Sequence, residues 1–383
     1  MKYNLKVCFI VNEAFGWGVF GGFGYLSRLL AEGLHEKSVH TYILTPRRAG
    51  QREVEIVDEA YIYGYRDPPR LIPFLKSYCQ GDVHNEVGRL LKKIDADVYH
   101  SQEPSEYSYV VSKMSPHSKH VITFQDPWSI NEIYKIGRLE GANFIRLSFS
   151  SMYHKYIRQI FVKRALNRAN GIFCQAKYII PMVVKMYKLQ RLPGFLPNPV
   201  KIPRRILKKS DEPTVVFLAR WDYVKIPEMF FNLARLFPKV RFIALGRCHV
   251  DPLRDAKLRR KYSKIPNLEM PGFVSEEEKT KILEEAWILV NTSIHECLPI
   301  SFLEGAAHKC AILSHEDPDG FATKFGFKAE LSLKSYSKGL TYLLDNERWK
   351  SFGEKAYEYV NEVHEFNKVI DLHLLMYRKL LSN

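Results

Sequence analysis

Apolar runs separated by amphipathic stretches recur along the whole chain. LKVCFIV, residues 5–11, reads as a buried first strand; a glycine-rich turn follows, then YLSRLLAEGL, where Leu26, Leu29, Leu30 and Leu34 fall at helical spacing. The unit repeats: TYILTP, a strand within DADVYHSQEP, HVITFQDPW with strand residues Val121 to Phe124, and GIFCQ. After Val200 come TVVFLAR, VRFIALG, LEMPGFVS and AWILV, the last ending near Asn291. Such runs, alternating with helical segments such as EEEKTKILEEAW, predict parallel sheets covered on both faces by helices. SMYHKYIRQIFVKRALNRANG, residues 151–171, reads as a basic amphipathic helix with Tyr153, Ile157, Ile160 and Phe161 on one side. LPGFLPNPV, with three prolines, reads as a linker between two α/β domains, so the first domain is expected to span residues 1–199. At 383 residues the chain is long enough for both to have a core.

The richest stretch is Asn291 to Ser314, NTSIHECLPISFLEGAAHKCAILS. Pro299 sits where a helix would begin, and Ile300, Leu303 and Ala307 continue at helical spacing. The first turn, around Leu298, Pro299, Ile300, Ser301 and Phe302, offers backbone N–H groups without intrahelical partners, a site for a diphosphate. Glu304 lies one turn in, and helical side chains lean towards the N-terminus, so its carboxylate is expected to meet a ribose diol. Glu296, in the preceding loop, is expected to meet hydroxyls of a sugar. Arg220, the last residue of the TVVFLAR strand, and Lys225, five residues later, offer a fork donor and a point charge for phosphates. Read literally, Gly16-x-Gly18-x-x-Gly21 is a dinucleotide fingerprint, but the glycines nearest the helix are Gly21, Gly22 and Gly24, and TYILTP ends without the acid that would hold an NAD ribose. Asp95-x-Asp97 and Asp317-x-Asp319 read as loop closures rather than metal ligands.

E-C-L-P-I-S-F-L-E resembles the E-G-x-P-x-x-x-x-E motif of the retaining glycosyltransferases of family 4, with Cys297 for the usual Gly. GGFGYLSRLLAEGL resembles that family's G-G-x-G loop, P-N-P-V its P-N-G-V, and R-W-D-Y-V-K its G-R-x-x-x-x-K element. The resemblance implies a GT-B fold: two Rossmann-like domains with parallel sheets facing a central cleft, at 1–199 (acceptor side) and 200–360 (nucleotide-sugar side). A closing helix, 361–383, would return to the first domain. It also implies a metal-independent, retaining transfer of a hexosyl type from a UDP- or GDP-sugar to an acceptor hydroxyl, with no cofactor. Arg220, Lys225, Glu296 and Gln125 would carry the chemistry. Gly21, Gly22, Gly246, Phe273, Val274, Leu298, Pro299, Ile300, Ser301 and Glu304 would hold the donor, the backbone near Phe273 and Val274 reading the base. Gln102 and Gln125 stand where the family usually has His, which leaves open a sugar-nucleotide epimerase or a catalytically decayed binding protein on the same fold.

Composition narrows the surroundings. The net charge is +15, and 27 basic against 17 acidic residues fall in the first 200 positions. This favours polyanionic partners: a lipid-linked or anionic-glycan acceptor and peripheral contact with an anionic membrane fit, whereas no nucleic-acid motif is present. Six scattered cysteines, without metal-ligand spacing, fit a reduced cytoplasmic setting and no zinc site. No signal peptide or membrane-spanning stretch is read.

Overall fold

The computed structural model describes residues 5–15, 21–48, 50–66, 73–139, 141, 147–148, 152, 158–249 and 251–382, with the backbone alone at 73–82 and 130. Gly16, Gly18, Tyr153 and Ile157 lie outside the described residues, so the dinucleotide reading and the helix over 151–157 stay expectations. The chain divides into two compact units, Met1–Pro199 with Asn367–Asn383, and Val200–Phe366.

The first unit is built on an eight-stranded sheet. Its order is β3 (Val54–Val57), β4 (Ala60–Tyr65), β2 (His40–Pro46), β1 (Lys6–Ile10), β5 (Val98–Ser101), β6 (Lys119–Phe124), β7 (Gly171–Cys174) and β8 (Gly194–Phe195). Every pairing is parallel except the β3–β4 hairpin, which turns through Asp58 and Glu59 at positive φ. Val7, Cys8, Phe9, Val98 and Ile122 are fully buried, as parallel strands covered on both faces require. Helix Gly22–Glu36 buries Leu26, Leu29, Leu30 and Leu34, the stripe its spacing predicted. Asp97 Oδ2 accepts from the Lys6 backbone N–H at 2.8 Å, a loop closure before β5. Helix Phe366–Leu381 belongs to this unit: Tyr377 Oη lies 2.7 Å from His100 Nδ1, whose Nε2 is 2.7 Å from Thr123 Oγ1.

The proline-rich LPGFLPNPV holds the division between the two units, at Pro199 and Val200, and its first half also forms an edge strand: Gly194 and Phe195 pair with β7 as β8 and the Leu196 N–H donates to the Cys174 carbonyl. An edge strand of two residues needs a ladder on one side only, so the flanking Pro193 and Pro197 do not exclude it.

The second unit has a six-stranded, wholly parallel sheet in the order β11 (Leu268–Gly272), β10 (Arg241–Leu245), β9 (Thr214–Leu218), β12 (Ile288–Asn291), β13 (Ala311–Ser314) and β14 (Gly326–Lys328). Phe217, Phe230, Phe231 and Phe242 fill its core, with the rings of Phe230 and Phe242 5.2 Å apart edge to face. In such open sheets ligands sit beyond the carboxyl ends of strands where the order reverses. That point lies between β1 and β5 in the first unit and between β9 and β12 in the second. Among the described residues no helix is long and apolar enough to cross a membrane.

Candidate active site

β9 stops at Leu218, two residues before Arg220, so the cation projects from a turn and not from the strand. The turn is held by Gly246 at φ 110°, where an added Cβ would lie 2.0 Å from the Ala219 carbonyl oxygen; no other residue fits there. Arg220 is half-exposed and pairs with Asp222 at 3.4 Å. The next residues are stitched to the loop after β12. Thr292 Oγ1 donates to the Lys225 carbonyl at 2.7 Å and lies 2.9 Å from that of Ile226, while the Ile294 N–H donates to the Val224 carbonyl. Ile226 is held at φ 41°, a left-handed conformation that costs a β-branched residue on the order of 1–3 kcal/mol. Helix Pro227–Leu236 starts directly after it.

These bonds set Lys225 against Glu296, with Nζ 2.6 Å from Oε1. The same oxygen accepts from Asn291 Nδ2 at 3.0 Å and Ser293 Oγ at 2.6 Å. The loop then leads to Pro299, in extended conformation, and helix Ile300–Ala307. Pro299 at the N-cap position makes no side-chain cap bond, and the first turn carries no acid. Leu298 is buried beneath it. One turn in, Glu304 is only 8% exposed and its Oε1 lies 2.6 Å from Nζ of Lys279, on helix Glu276–Glu285. Burial works against the Lys279 ammonium, yet Glu304 and Glu276 outweigh it and hold its pKa above the usual value. At the other end of the two helices, the buried Lys209 ammonium bonds the Ala286 and His308 carbonyls, the latter at 2.6 Å.

On the far side of β9, the Gly246 N–H donates to the Gly272 carbonyl at 2.7 Å. Phe273 is exposed, and its ring stands edge-on to that of His249 at 6.4 Å; Val274 is half-buried. Burial, then the charges of Arg247 and Arg220, depress the His249 pKa.

The carboxyl edge of the first sheet is different. The N–H groups of Gly21 and Gly24 donate to Glu13 Oε1 at 2.8 and 3.2 Å, so a side-chain carboxylate already occupies the start of helix Gly22–Glu36. Gln125 is buried in an amide network. Its Nε2 donates to Gln102 Oε1 at 2.8 Å and to Asn198 Oδ1 at 3.0 Å, and its Oε1 accepts from Asn198 Nδ2 at 2.8 Å. Gln175 Nε2 donates to the Gln125 carbonyl. Glu103 Oε2 accepts the N–H groups of Gln125 and Asp126, both at 2.8 Å. Loss of water pushes the Glu103 carboxyl up to about 8, against the pull of those two backbone bonds.

The structure thus brings Lys225, Glu296 and the helix start at Pro299 to the same sheet edge, with Glu304 one turn behind. It places Gln125 among other amides and closes the Gly21 amides with Glu13. Glu13, Glu103, Asn198, Lys279, Asn291 and Ser293 were not singled out from the sequence. A buried lysine within the acid-rich EEEKTKILEE has no periodic signature. The T-S pair before Glu296 was the one visible hint at Ser293.

The chain matches the model described as Glycosyltransferase Family 4 over residues 20–204 and the one described as Glycosyl transferases group 1 over residues 200–359. The chain belongs to the family 4 glycosyltransferases. Its GT-B architecture is similar to that of sucrose-phosphate synthase from Thermosynechococcus elongatus, at 14% identity, TM-score 0.75 and 99% coverage of both chains. It is also similar to HepE from Anabaena, solved in complex with UDP-glucose, at 12% identity, TM-score 0.68, and 97% and 100% coverage. Among curated sequences it resembles one component of the phosphatidylinositol N-acetylglucosaminyltransferase of Arabidopsis thaliana, 28% identical over 131 residues. That match takes in 33% of this glycosyltransferase and 29% of the relative, under two thirds of the relative's length. The family match makes this chain a nucleotide-sugar-dependent glycosyltransferase.

Proposed function

We propose that this glycosyltransferase moves a sugar from a UDP- or GDP-sugar to an acceptor hydroxyl with retention of configuration, and that its own cations take the role a metal ion plays elsewhere. The observation that carries the reading is the acid-free start of helix Ile300–Ala307, entered through Pro299, beside the Lys225–Glu296 pair at the switch point of the second sheet. A diphosphate there would receive the first-turn N–H groups around Ile300 and Ser301, with Pro299 and Leu298 shaping the approach. As the sugar–phosphate bond breaks, negative charge grows on the leaving diphosphate; Arg220, Lys225 and the helix start stabilise it. Glu296 faces the sugar and offsets positive charge developing on its ring, without forming a covalent bond. Glu304 accepts the ribose hydroxyls. Gly246 lets the backbone turn closely beside the site, and the backbone at Phe273 and Val274 meets the base.

On the first unit, Gly21 and Gly22 contribute to a surface for neutral hydroxyls, since Glu13 already balances that helix start. Gln125 acts through the amide network that shapes this edge, and its neutral amide carries no proton through the pH range where a histidine would titrate. The basic excess favours a lipid-linked or anionic-glycan acceptor at an anionic membrane surface; the curated relative is named for phosphatidylinositol.

A thermal-shift screen against UDP, GDP, ADP and their sugar conjugates tests the reading. A ligand at a hundredfold excess over its dissociation constant adds about 2.7 kcal/mol of stability. One base should raise the midpoint, and Glu304→Ala should remove most of that shift; equal shifts in both proteins would refute the donor site.

A further inference from the structure

We infer that Lys279 is a positioning residue that sets the enzyme's choice of ribonucleotide over deoxyribonucleotide donors. The inference rests on the reading of Glu304 as the ribose ligand. A lysine in the first turn of an acidic helix is ordinarily a solvated partner of its neighbours that contributes little. Lys279 departs from that pattern. Its side chain is 12% exposed and leaves its own helix to reach Glu304, 25 positions later on a different element. Glu276, itself half-exposed, holds the ammonium from the solvent side at 2.9 Å. Burying an ammonium this far is tolerated only with anionic partners, and of the two acids here Glu304 is the buried one.

The geometry gives the lysine a task. Glu304 sits on a short helix, and a glutamate has three rotatable bonds with which to leave a ligand. Lys279 fixes one oxygen at 2.6 Å and balances the charge of the buried carboxylate, so that its acceptor lone pairs are presented in a set direction. An ionised carboxylate takes up two hydroxyl hydrogens, whereas a protonated one loses acceptor capacity and offers a hydrogen instead. A vicinal ribose diol is the group that rewards such a fixed anionic acceptor. A sugar lacking those hydroxyls would leave the pair desolvated and uncompensated, which is the arrangement that gives steep discrimination. The Lys209 ammonium, bonded to carbonyls at the ends of the same two helices, keeps their separation constant. Lys279 therefore acts on Glu304 across a fixed gap.

The test is a titration of the purified enzyme with UDP and 2′,3′-dideoxy-UDP, and with GDP and 2′,3′-dideoxy-GDP, in wild type, Lys279→Met and Lys279→Arg. Two hydrogen bonds to a charged acceptor predict that the wild type prefers the ribonucleotide by about 100-fold or more. Lys279→Met should bring the two within about threefold by weakening the ribonucleotide alone, and Lys279→Arg should restore most of the preference. A wild type that does not discriminate would remove the ribose role of Glu304, and this inference with it. A discriminating wild type whose Met variant discriminates equally would overturn the role of Lys279 while leaving Glu304 in place. Equal loss in Met and Arg would show that volume rather than charge is used, and would also overturn it. Dideoxynucleotide binding that stays constant in every variant shows that the fold is intact.

Discussion

Lys225 and Glu296 share their closest contact with two neutral donors, Asn291 and Ser293, on one carboxylate oxygen. Both side chains are largely withdrawn from water, 18% and 9% exposed, so removing either partner leaves the other poorly compensated. Lys225→Ala is therefore expected to lower kcat by about 100- to 1,000-fold, the usual loss when one donor to a developing oxyanion is deleted, with a smaller change in donor KM. Steady-state kinetics with the donor found in the thermal screen would show it. Glu304→Ala should give the opposite split, raising donor KM with little effect on kcat. If both variants raise KM alone, Lys225 serves ground-state binding rather than the leaving group. Gln125 sits at the other extreme: its two amide hydrogens are engaged by Gln102 and Asn198, so its effect on turnover comes through the shape of the edge it holds.

Two helix starts face the carboxyl edges of the two sheets, and the chain treats them differently. Helix Ile300–Ala307 is entered through Pro299, whose side chain makes no cap bond, whereas helix Gly22–Glu36 takes Glu13 onto its first amides. Glu13→Ala should cost about 1 kcal/mol, as for loss of an N-terminal cap, visible as a lower urea midpoint at unchanged slope. The elements themselves were legible in the sequence because fully buried parallel strands are continuous apolar runs and Pro299 marks a helix start. The local geometry from Glu296 to Glu304, a loop entering a helix at Pro299, was legible because it lies on one short segment. What could not be read were partners brought together by the sheet order. Lys225 lies 71 positions from Glu296, and Gln125 lies 73 from Asn198. Glu13 lies eight positions before Gly21, a separation that no periodicity encodes. The strand Gly194–Phe195 was hidden for another reason: two residues between prolines carry no pattern at all.

At the scale of the molecule, the first unit buries three histidines, His100, His120 and His373, all under 4% exposed. Burial depresses all three, His120 to about 3 and His373 to about 4, with His100 also lowered by the charges of His373 and His120. Between those values and about 6.5 the unfolded chain binds protons that the folded chain does not, so stability rises with pH across the window. Each histidine contributes at most about 1.4 kcal/mol per pH unit. Glu103, raised to about 8, acts in the opposite sense from its ordinary value upward. The expected profile from urea unfolding is a steep loss from pH 6.5 to 4.5 and a shallow decline from 6.5 to 8; a flat acid limb would contradict it. The bond from Tyr377 to His100 has a further consequence, for synthesis. The second unit is one continuous segment and has all its residues once Phe366 has emerged, while the first is missing a half-buried helix until residues 367–381 follow. The part of the chain made first is thus the part completed last, and through most of translation it waits with the groove for its closing helix unfilled.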